Sequence, residues 1–437
     1  MTSSELKQAV HSGAFDRAFG ALYAGEALPA VRARYAALAE AFEKEFSVRD
    51  AVSFFSAPGR SEIAGNHTDH QHGAVLAAAV SLDFIAAARR HRRNTVTVAS
   101  HGYPRFQIGL DNMKPRLDEK NSTKAFVRGV AAYLKAHGYT VGGFETVMQS
   151  NVPRGSGLSS SAAYGVLLGT VWNGLYNGGR ITFTEIALAA QYAENQYFGK
   201  PSGLMDQIAS AAGGFVAVDF LDPTQPRVER IDCDLEGLGY AVCIVNAGGS
   251  HASLTGEYAD IPGEMAAVSS YFGRRVLREV DRDAFYDALP LLRQRGVPDR
   301  AILRSMHFFD ETERAVQARD ALKSGDMPRF LAVVNASGRS SEALLQNVCP
   351  KNKKERSVSL ALALSEKLLA GRGAYRVHGG GFAGTIQAIV PLAGVEAYAA
   401  GMEQVFGRGC CYRLRIRPLG GVLLQPDAAP DGFSPSK

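Results

Sequence analysis

The chain has 437 residues, of which 46% are hydrophobic and 21% charged, with 48 Lys+Arg against 43 Asp+Glu for a net charge of +5. That size suggests two or three domains around a substantial core. The charge excess is thin and its densest runs, Arg89-Arg90-His91-Arg92-Arg93 and Lys351-Asn352-Lys353-Lys354, are too short for a nucleic-acid surface. Cys233, Cys243, Cys349, Cys410 and Cys411 are odd in number and show no CxxC spacing, which argues against a disulfide framework or zinc ribbon. The opening MTSSELKQAV lacks a charged start followed by an apolar core, and no apolar stretch reaches membrane-spanning length, so a cytoplasmic protein is expected.

Residues 5–47 carry Ala14, Ala18, Leu22 and then Val31, Tyr35, Leu38, Phe42 at helical spacing. Gly25 and Pro29 break this region into two segments. Residues 52–55 read as a strand entering a turn at Pro58-Gly59. Two separate apolar runs follow at 74–80 and 84–88, then an alternating strand at 95–100. A helix starts near Ser159, with Ala163, Leu167, Val171 and Leu175 on one face. Another spans 183–198, with Thr182 and Glu185 as a capping box and Gly199 and Pro201 as stop signals. A third begins near Met205. Strand patterns at 215–220 and 240–245 flank a boundary signal at 222–226, helical patterns dominate 256–370, and a strand–glycine turn–strand follows at 374–391. The end, 427–437, reads as a frayed tail. Strands and helices interleave without regular βαβ alternation, which predicts an α+β protein in two lobes.

The stretch Pro153-Arg154-Gly155-Ser156-Gly157-Leu158-Ser159-Ser160-Ser161-Ala162-Ala163 is the most informative. Its glycines let backbone N–H groups approach an anion, the following helix aims its positive end there, and the serine hydroxyls can bond phosphate or complete a magnesium shell. The alternative for such a stretch is a glycine turn with serine caps. No G-x-x-x-x-G-K-[ST] occurs, so this is not a P-loop. Gly379–Gly384 does match G-x-G-x-x-G, but a strand-like run follows it rather than a helix, which favours a hairpin turn.

Pro58-Gly59-Arg60 precedes Gly65-Asn66-His67-Thr68-Asp69-His70-Gln71-His72-Gly73. Three readings stay open there: a plain polar loop, a metal site with no supporting ligand spacing, and a sugar site. In the last, a fixed aspartate accepting two sugar hydroxyls selects configuration, because an epimer leaves it unpaired.

These residues together resemble the galactokinase family of the GHMP small-molecule kinases. The first family motif, roughly P-G-R-V-N-L-I-G-E-H-T-D-Y, appears as PGRSEIAGNHTDH at 58–70; G-S-G-L-S-S-S-A-A is intact at 155–163; Glu194-Asn195, Gly199, Gly203 and Met205-Asp206-Gln207 match E-N-x-x-x-G-x-x-x-G-x-M-D-Q; and Gly379–Gly384 matches G-G-G-F-G-G with Ala383 for one glycine. The likeness runs from about 35 to 421. It implies a helical extension at 1–34, an N-terminal lobe at 35–222, a C-terminal lobe with a short flexible tail at 223–437, and a two-lobed GHMP kinase fold with mixed sheets, packed helices and the active site in the inter-lobe cleft. It also implies roles. Arg60 would stabilise charge during transfer and Asp206 would be the base or orient the attacking hydroxyl. Asn66, His67, Thr68, Asp69 and Tyr258 would contact the sugar. Gly155, Ser156, Gly157, Leu158, Ser159, Ser160 and Ser161 would wrap the ATP phosphates, and Ser161 with Glu194 would hold Mg²⁺. The partners expected are a sugar and ATP, with no nucleic acid and no membrane.

Asn66 stands where the family has glutamate. A galacturonate carboxylate would be repelled by glutamate and not by asparagine, so a kinase of galacturonate or another C6-modified galactose is an alternative to galactose. A non-catalytic sugar sensor is a second alternative, disfavoured by the presence of Arg60, Ser161, Glu194 and Asp206.

Overall fold

A computed structural model of the chain describes residues 1–47, 50–153, 157–249, 254–351, 354 and 356–430. The first sheet joins β1 (Ser53–Ala64), β2 (Ala74–Arg90), β3 (Thr95–Ser100), β4 (Tyr103–Gly109), β5 (Phe144–Ser150), β6 (Phe215–Asp219), β7 (Arg227–Ile231) and, from the far end of the chain, a short strand at Val422–Leu424. Its pairings are antiparallel except β3 on β5. The second sheet holds β8 (Tyr240–Gly248), β9 (Ala374–Val377), β10 (Gly384–Pro391) and β11 (Cys411–Leu414), all antiparallel. This is the expected α+β class, with mixed pairing and helices on the sheets.

Several boundaries differ from the sequence reading. Pro58-Gly59 is no turn: β1 runs through it to Ala64, with irregular pairing to β2 between Pro58 and Arg60 and between Glu62 and Ala64. The two apolar runs at 74–88 form one strand, β2, because both faces are covered. Residues 220–226 are the connection between β6 and β7, which pair with each other in the first sheet. The chain therefore leaves that sheet after Ile231, not at 222, and returns to it at Val422–Leu424. One apolar cluster, including Ile63, Leu76, Val80, Val242, Ile244 and Leu414, belongs to both sheets.

The N-terminal region folds as three helices, Ser3–Ser12, Asp16–Leu22 and Leu28–Phe46, because Gly13, in left-handed conformation, ends the first helix before the expected break. Thr2 and Glu5 form a capping box on it. The helices are not an appendage. Val10, Phe15, Phe19, Tyr35 and Phe42 are fully buried against Phe54, Ile85, Ala87 and Val422 of the first sheet, each such side chain being worth about 1.5–3 kcal/mol of burial. Beneath them lies Asp83 of β2, with no exposed surface. Its carboxylate accepts from Tyr23 Oη at 2.5 Å, from Arg417 at 2.9 Å and from Ser56, and pairs with Arg34 at 2.6 Å. Burial opposes its charge, but Arg34, Arg417 and these donors hold its carboxyl below the usual carboxylate range. Asp83 in turn exchanges backbone and side-chain hydrogen bonds with Asn151, just before the glycine–serine stretch. Of the expected tail, Asp427 N–H donates to Ala14 O at 2.7 Å; 431–437 lie outside the described residues.

Tyr23→Phe deletes one donor from this buried carboxylate and is expected to lower unfolding free energy by about 1–3 kcal/mol, measured by urea denaturation.

Candidate functional site

Arg60 is the hub. The irregular pairing of β1 at Pro58–Arg60 brings its backbone N–H to Leu158 O at 3.2 Å. Its guanidinium donates from Nε to Asp206 Oδ1 at 2.6 Å and from a terminal nitrogen to Gly157 O. Only 6% of the Arg60 side chain is exposed, so three elements meet on one buried cation. They are the first motif, the glycine–serine loop and the start of the helix Met205–Ala212, which carries Asp206 in its first turn. Burial opposes ionisation of Asp206, yet Arg60, a hydrogen bond from Ser159 and the charge of Lys200 hold its carboxyl below the ordinary value. It stands as a carboxylate.

Of the expected phosphate loop, Gly155 and Ser156 lie outside the described residues. Gly157 has φ +70°, and a Cβ there would come within 2.8 Å of His378 Nδ1 and of Thr385 Oγ1. Leu158 is buried. Ser159 is left-handed at φ +53° and opens the helix Ser160–Tyr176 without a side-chain cap, and no acidic residue stands in its first turn. Ser160 is the first helical residue. That helix start has N–H groups to give and a positive dipole end, as an anion requires.

Ser161 turns to the next helix and donates to Glu194 Oε1 at 2.9 Å. Glu194 is 1% exposed and sits at a π-helical turn, Ala193–Phe198, that ends the helix Phe183–Tyr192. Such turns are frequent at functional sites. Its carboxylate also accepts from Lys200 (3.1 Å), Ser202 (3.0 Å) and Gln207 (2.8 Å). A buried carboxylate beside a serine hydroxyl at an uncapped helix start is a hard-oxygen donor set of the kind that suits Mg²⁺. Lys200, more than half exposed, is the cation beside it. Among the described residues no group of three or more His, Cys, Asp or Glu side chains could hold a metal by itself.

The 65–73 loop adjoins this centre. A Cβ on Gly203 would lie 1.6 Å from Asp69 Oδ2, so only glycine there lets Asp69 approach the loop that leads into the helix carrying Asp206. Asp69 Oδ1 accepts from His70 N at 3.0 Å. His67 has φ +58°, and its Nε2 donates to Gly380 O at 3.0 Å, which places the ring proton on Nε2. Burial and neighbouring positive groups push its pKa down to about 3, so the ring is neutral. Tyr258 donates to Gly381 O at 2.9 Å and sets its ring edge-on to Phe382. Burial raises its hydroxyl to about 12.

Two expected ligand contacts are engaged elsewhere. Thr68 has no exposed surface, and its hydroxyl bonds the carbonyls of Gly65 and Ala74 at 2.9 and 2.8 Å. Asn66 is equally buried. Its amide nitrogen donates to Glu62 Oε1 and Gly379 O, both at 2.8 Å, and its oxygen accepts from Asn347 at 2.7 Å. Both side chains shape the loop because the tertiary fold places the protein's own partners around them. Gly379–Gly384 is the expected hairpin turn between β9 and β10. Its carbonyls receive Asn66, His67 and Tyr258, so it clasps the polar loop.

Sequence reasoning missed Glu62 with Arg376 (2.9 Å, both buried), Asn347, Lys200, and the pair His307 and Glu311. The last two had a readable signal: they fall on the same helical face as Arg304, Phe308 and Ala315, as polar breaks in a buried stripe.

The family profile "GHMP kinases N terminal domain" matches residues 125–214, and "Galactokinase galactose-binding signature" matches residues 40–90. Galactokinase of Glaesserella parasuis serovar 5 (strain SH0165) is 31% identical over 358 residues, 82% of this chain and 89% of that protein. In fold, the chain is similar to Lactococcus lactis galactokinase complexed with galactose (TM-score 0.75, 24% identity, 87% of this chain and 97% of that one). It is also similar to L. major mevalonate kinase in complex with R-mevalonate (TM-score 0.56, 17% identity, 87% and 97%).

Arg60→Ala removes the main charge opposing burial at Asp206. The Asp206 carboxyl is expected to move from below its ordinary pKa to above it, read by carboxyl-carbon NMR titration.

Proposed function

Because the chain belongs to the galactokinase family of GHMP kinases and is an ATP-dependent sugar kinase, we propose that it transfers the γ-phosphoryl group of ATP to the anomeric hydroxyl of galactose, giving galactose 1-phosphate and ADP. The observation that carries this reading is the meeting of Asp206, Arg60 and Gly157 within hydrogen-bond distance, with Asp69 packed on Gly203 three residues before Asp206.

The residues divide the work. His67, Asp69 and Tyr258 bind the sugar, and Asp69, a fixed acceptor, selects hydroxyl configuration. Gly157, Leu158, Ser159 and Ser160 with the helix start receive the phosphates, together with Gly155 and Ser156. Ser161 and Glu194 would hold Mg²⁺, which would supply charge neutralisation on the phosphate oxygens. Phosphoryl transfer needs positioning and charge balance more than covalent chemistry. The anomeric oxygen forms the new bond to the γ-phosphorus, the bond to the bridging oxygen breaks, ADP leaves, and the hydroxyl proton passes to Asp206. A carboxylate with a depressed pKa is a weak base. Asp206 therefore acts first by aligning the hydroxyl, accepting its proton as the new bond forms. Arg60, already paired with Asp206, balances the charge at the transfer point.

Asn66 supports galactose over a C6 acid only indirectly: its amide is committed to Glu62, Gly379 and Asn347, so it has no donor left for a ligand carboxylate. Arg60 pairs with Asp206 and Ser161 with Glu194, whose carboxylate also takes Gln207, the residue next to Asp206, which favours an enzyme over a sensor.

In an ADP-release assay with galactose and galacturonate side by side, kcat/KM for galactose is expected to exceed that for galacturonate; the reverse order would overturn the substrate assignment. Asp206→Asn, which keeps an acceptor for Arg60 but removes its counter-charge, is expected to stay folded with reduced stability while kcat falls by about 10²–10⁴. Ser161→Ala is expected to raise the Mg²⁺ concentration needed for half-maximal rate, measured by titration at saturating ATP.

A further inference from the structure

The polar loop that carries His67 and Asp69 is bent into conformations that side chains resist. Gly65 has φ +97°, and a Cβ there would meet Ala74 O and Val75 Cα at 2.6 Å; His67 follows at φ +58° and His72 at φ +61°. Left-handed backbone at non-glycine residues persists only where surroundings over-determine it. Here those surroundings come from far along the chain. Gly65 N–H donates to Glu311 Oε1 at 2.9 Å, and Asn66 O accepts from His307 Nε2 at 2.9 Å. Both residues lie on the helix Asp299–Ser324, four positions apart, so their side chains share a face and grip successive peptides.

The grip is built to be rigid. His307 and Glu311 have no exposed surface. A carbonyl can only accept, so His307 carries its proton on Nε2; its Nδ1 then accepts from Ser340 Oγ at 2.8 Å, which locks the tautomer. Glu311 is held by Ser337 and by Arg314 at 3.1 Å. A buried carboxylate is costly unless fully partnered, and this one is partnered by the loop it holds. The same helix packs on the helix Thr255–Tyr271, which carries Tyr258, through a shared cluster that includes Ile261, Met265 and Phe308. One element thus references both walls that meet the sugar, while the phosphate loop is referenced by Arg60.

We infer that His307 and Glu311 are positioning residues for the sugar subsite, holding the Gly65–Asn66 peptides so that His67 and Asp69 are pre-set before substrate arrives. This rests on the galactose reading above. Displacement of a binding group by about an ångström is enough to weaken a reaction substantially.

The test compares His307→Phe, Glu311→Met, Ser340→Ala and the conservative His307→Gln and Glu311→Gln in the full chain. It reads KM for galactose, KM for ATP, kcat, and amide hydrogen exchange of Gly65 without ligand. The apolar variants are expected to raise KM for galactose about tenfold or more, leave KM for ATP within about twofold, and speed Gly65 exchange. The glutamine variants, which keep an acceptor for Gly65 and a donor for Asn66, are expected to recover most of the loss. Ser340→Ala, which frees only the tautomer, is expected to raise KM for galactose several-fold and decides the matter if the apolar variants do not fold. Faster Gly65 exchange with unchanged KM for galactose, or equal rises in both KM values, would overturn the positioning role. If the parent chain itself fails to turn over galactose, the functional reading fails, and with it this role, whatever the exchange data show.

Discussion

The arrangement depends on one buried guanidinium. Arg60 is nearly excluded from water, and a charge there is tolerable only because Asp206 and the Gly157 carbonyl accept its hydrogen bonds. The donor and its two acceptors come from three separate stretches of chain. Each is thereby held to the others, and the ionisation of Asp206 follows from the same contact. Burial pushes that carboxyl's pKa up; Arg60 foremost, with Ser159 and Lys200, brings it below its ordinary value. Packing and electrostatics around Asp206 thus share a single interaction.

Around that centre the two sheets are joined by polar contacts as well as apolar ones. Glu62 pairs with Arg376, which also donates to Ile63 O, while Gln387 donates to Glu62 O at 3.0 Å. Asn66 bridges to Gly379 and Asn347. Burial raises the Glu62 carboxyl even with Arg376 and Arg60 beside it. Unpaired, any of these groups would cost more than the bond it makes contributes. Their satisfaction therefore admits few relative placements of β1 and the β9–β10 hairpin, and the loop between Gly65 and Gly73 inherits that precision. The N-terminal helices add a further support from behind, through Tyr23 and Arg34 on Asp83.

Much of this was legible in the residues. The capping box at Thr182 and Glu185, the helix starting beside Ser159, the helix at Met205 and the hairpin at Gly379–Gly384 are local events. Capping, glycine conformations and apolar spacing act over a few residues, so order along the chain suffices to read them. The meeting of Arg60, Asp206 and the serine loop was reached through motif resemblance, since nothing local ties position 60 to position 206.

What the sequence determined by itself was the set of chemical groups and the local elements that carry them. Which way those groups face was settled in three dimensions. Asn66 and Thr68 look like ligands in a row of polar residues, but the fold surrounds them with internal partners. The single strand at 74–90, the passage of β1 through Pro58-Gly59 and the placement of β7 in the first sheet depend on what covers each strand. Likewise His307 and Glu311 are ordinary polar residues of a helix until a loop some 240 positions earlier presents its peptides to them. Pairing of that range is a property of the packed chain: desolvation makes an unmet donor costly wherever it falls, and only the assembled structure decides which partner meets it.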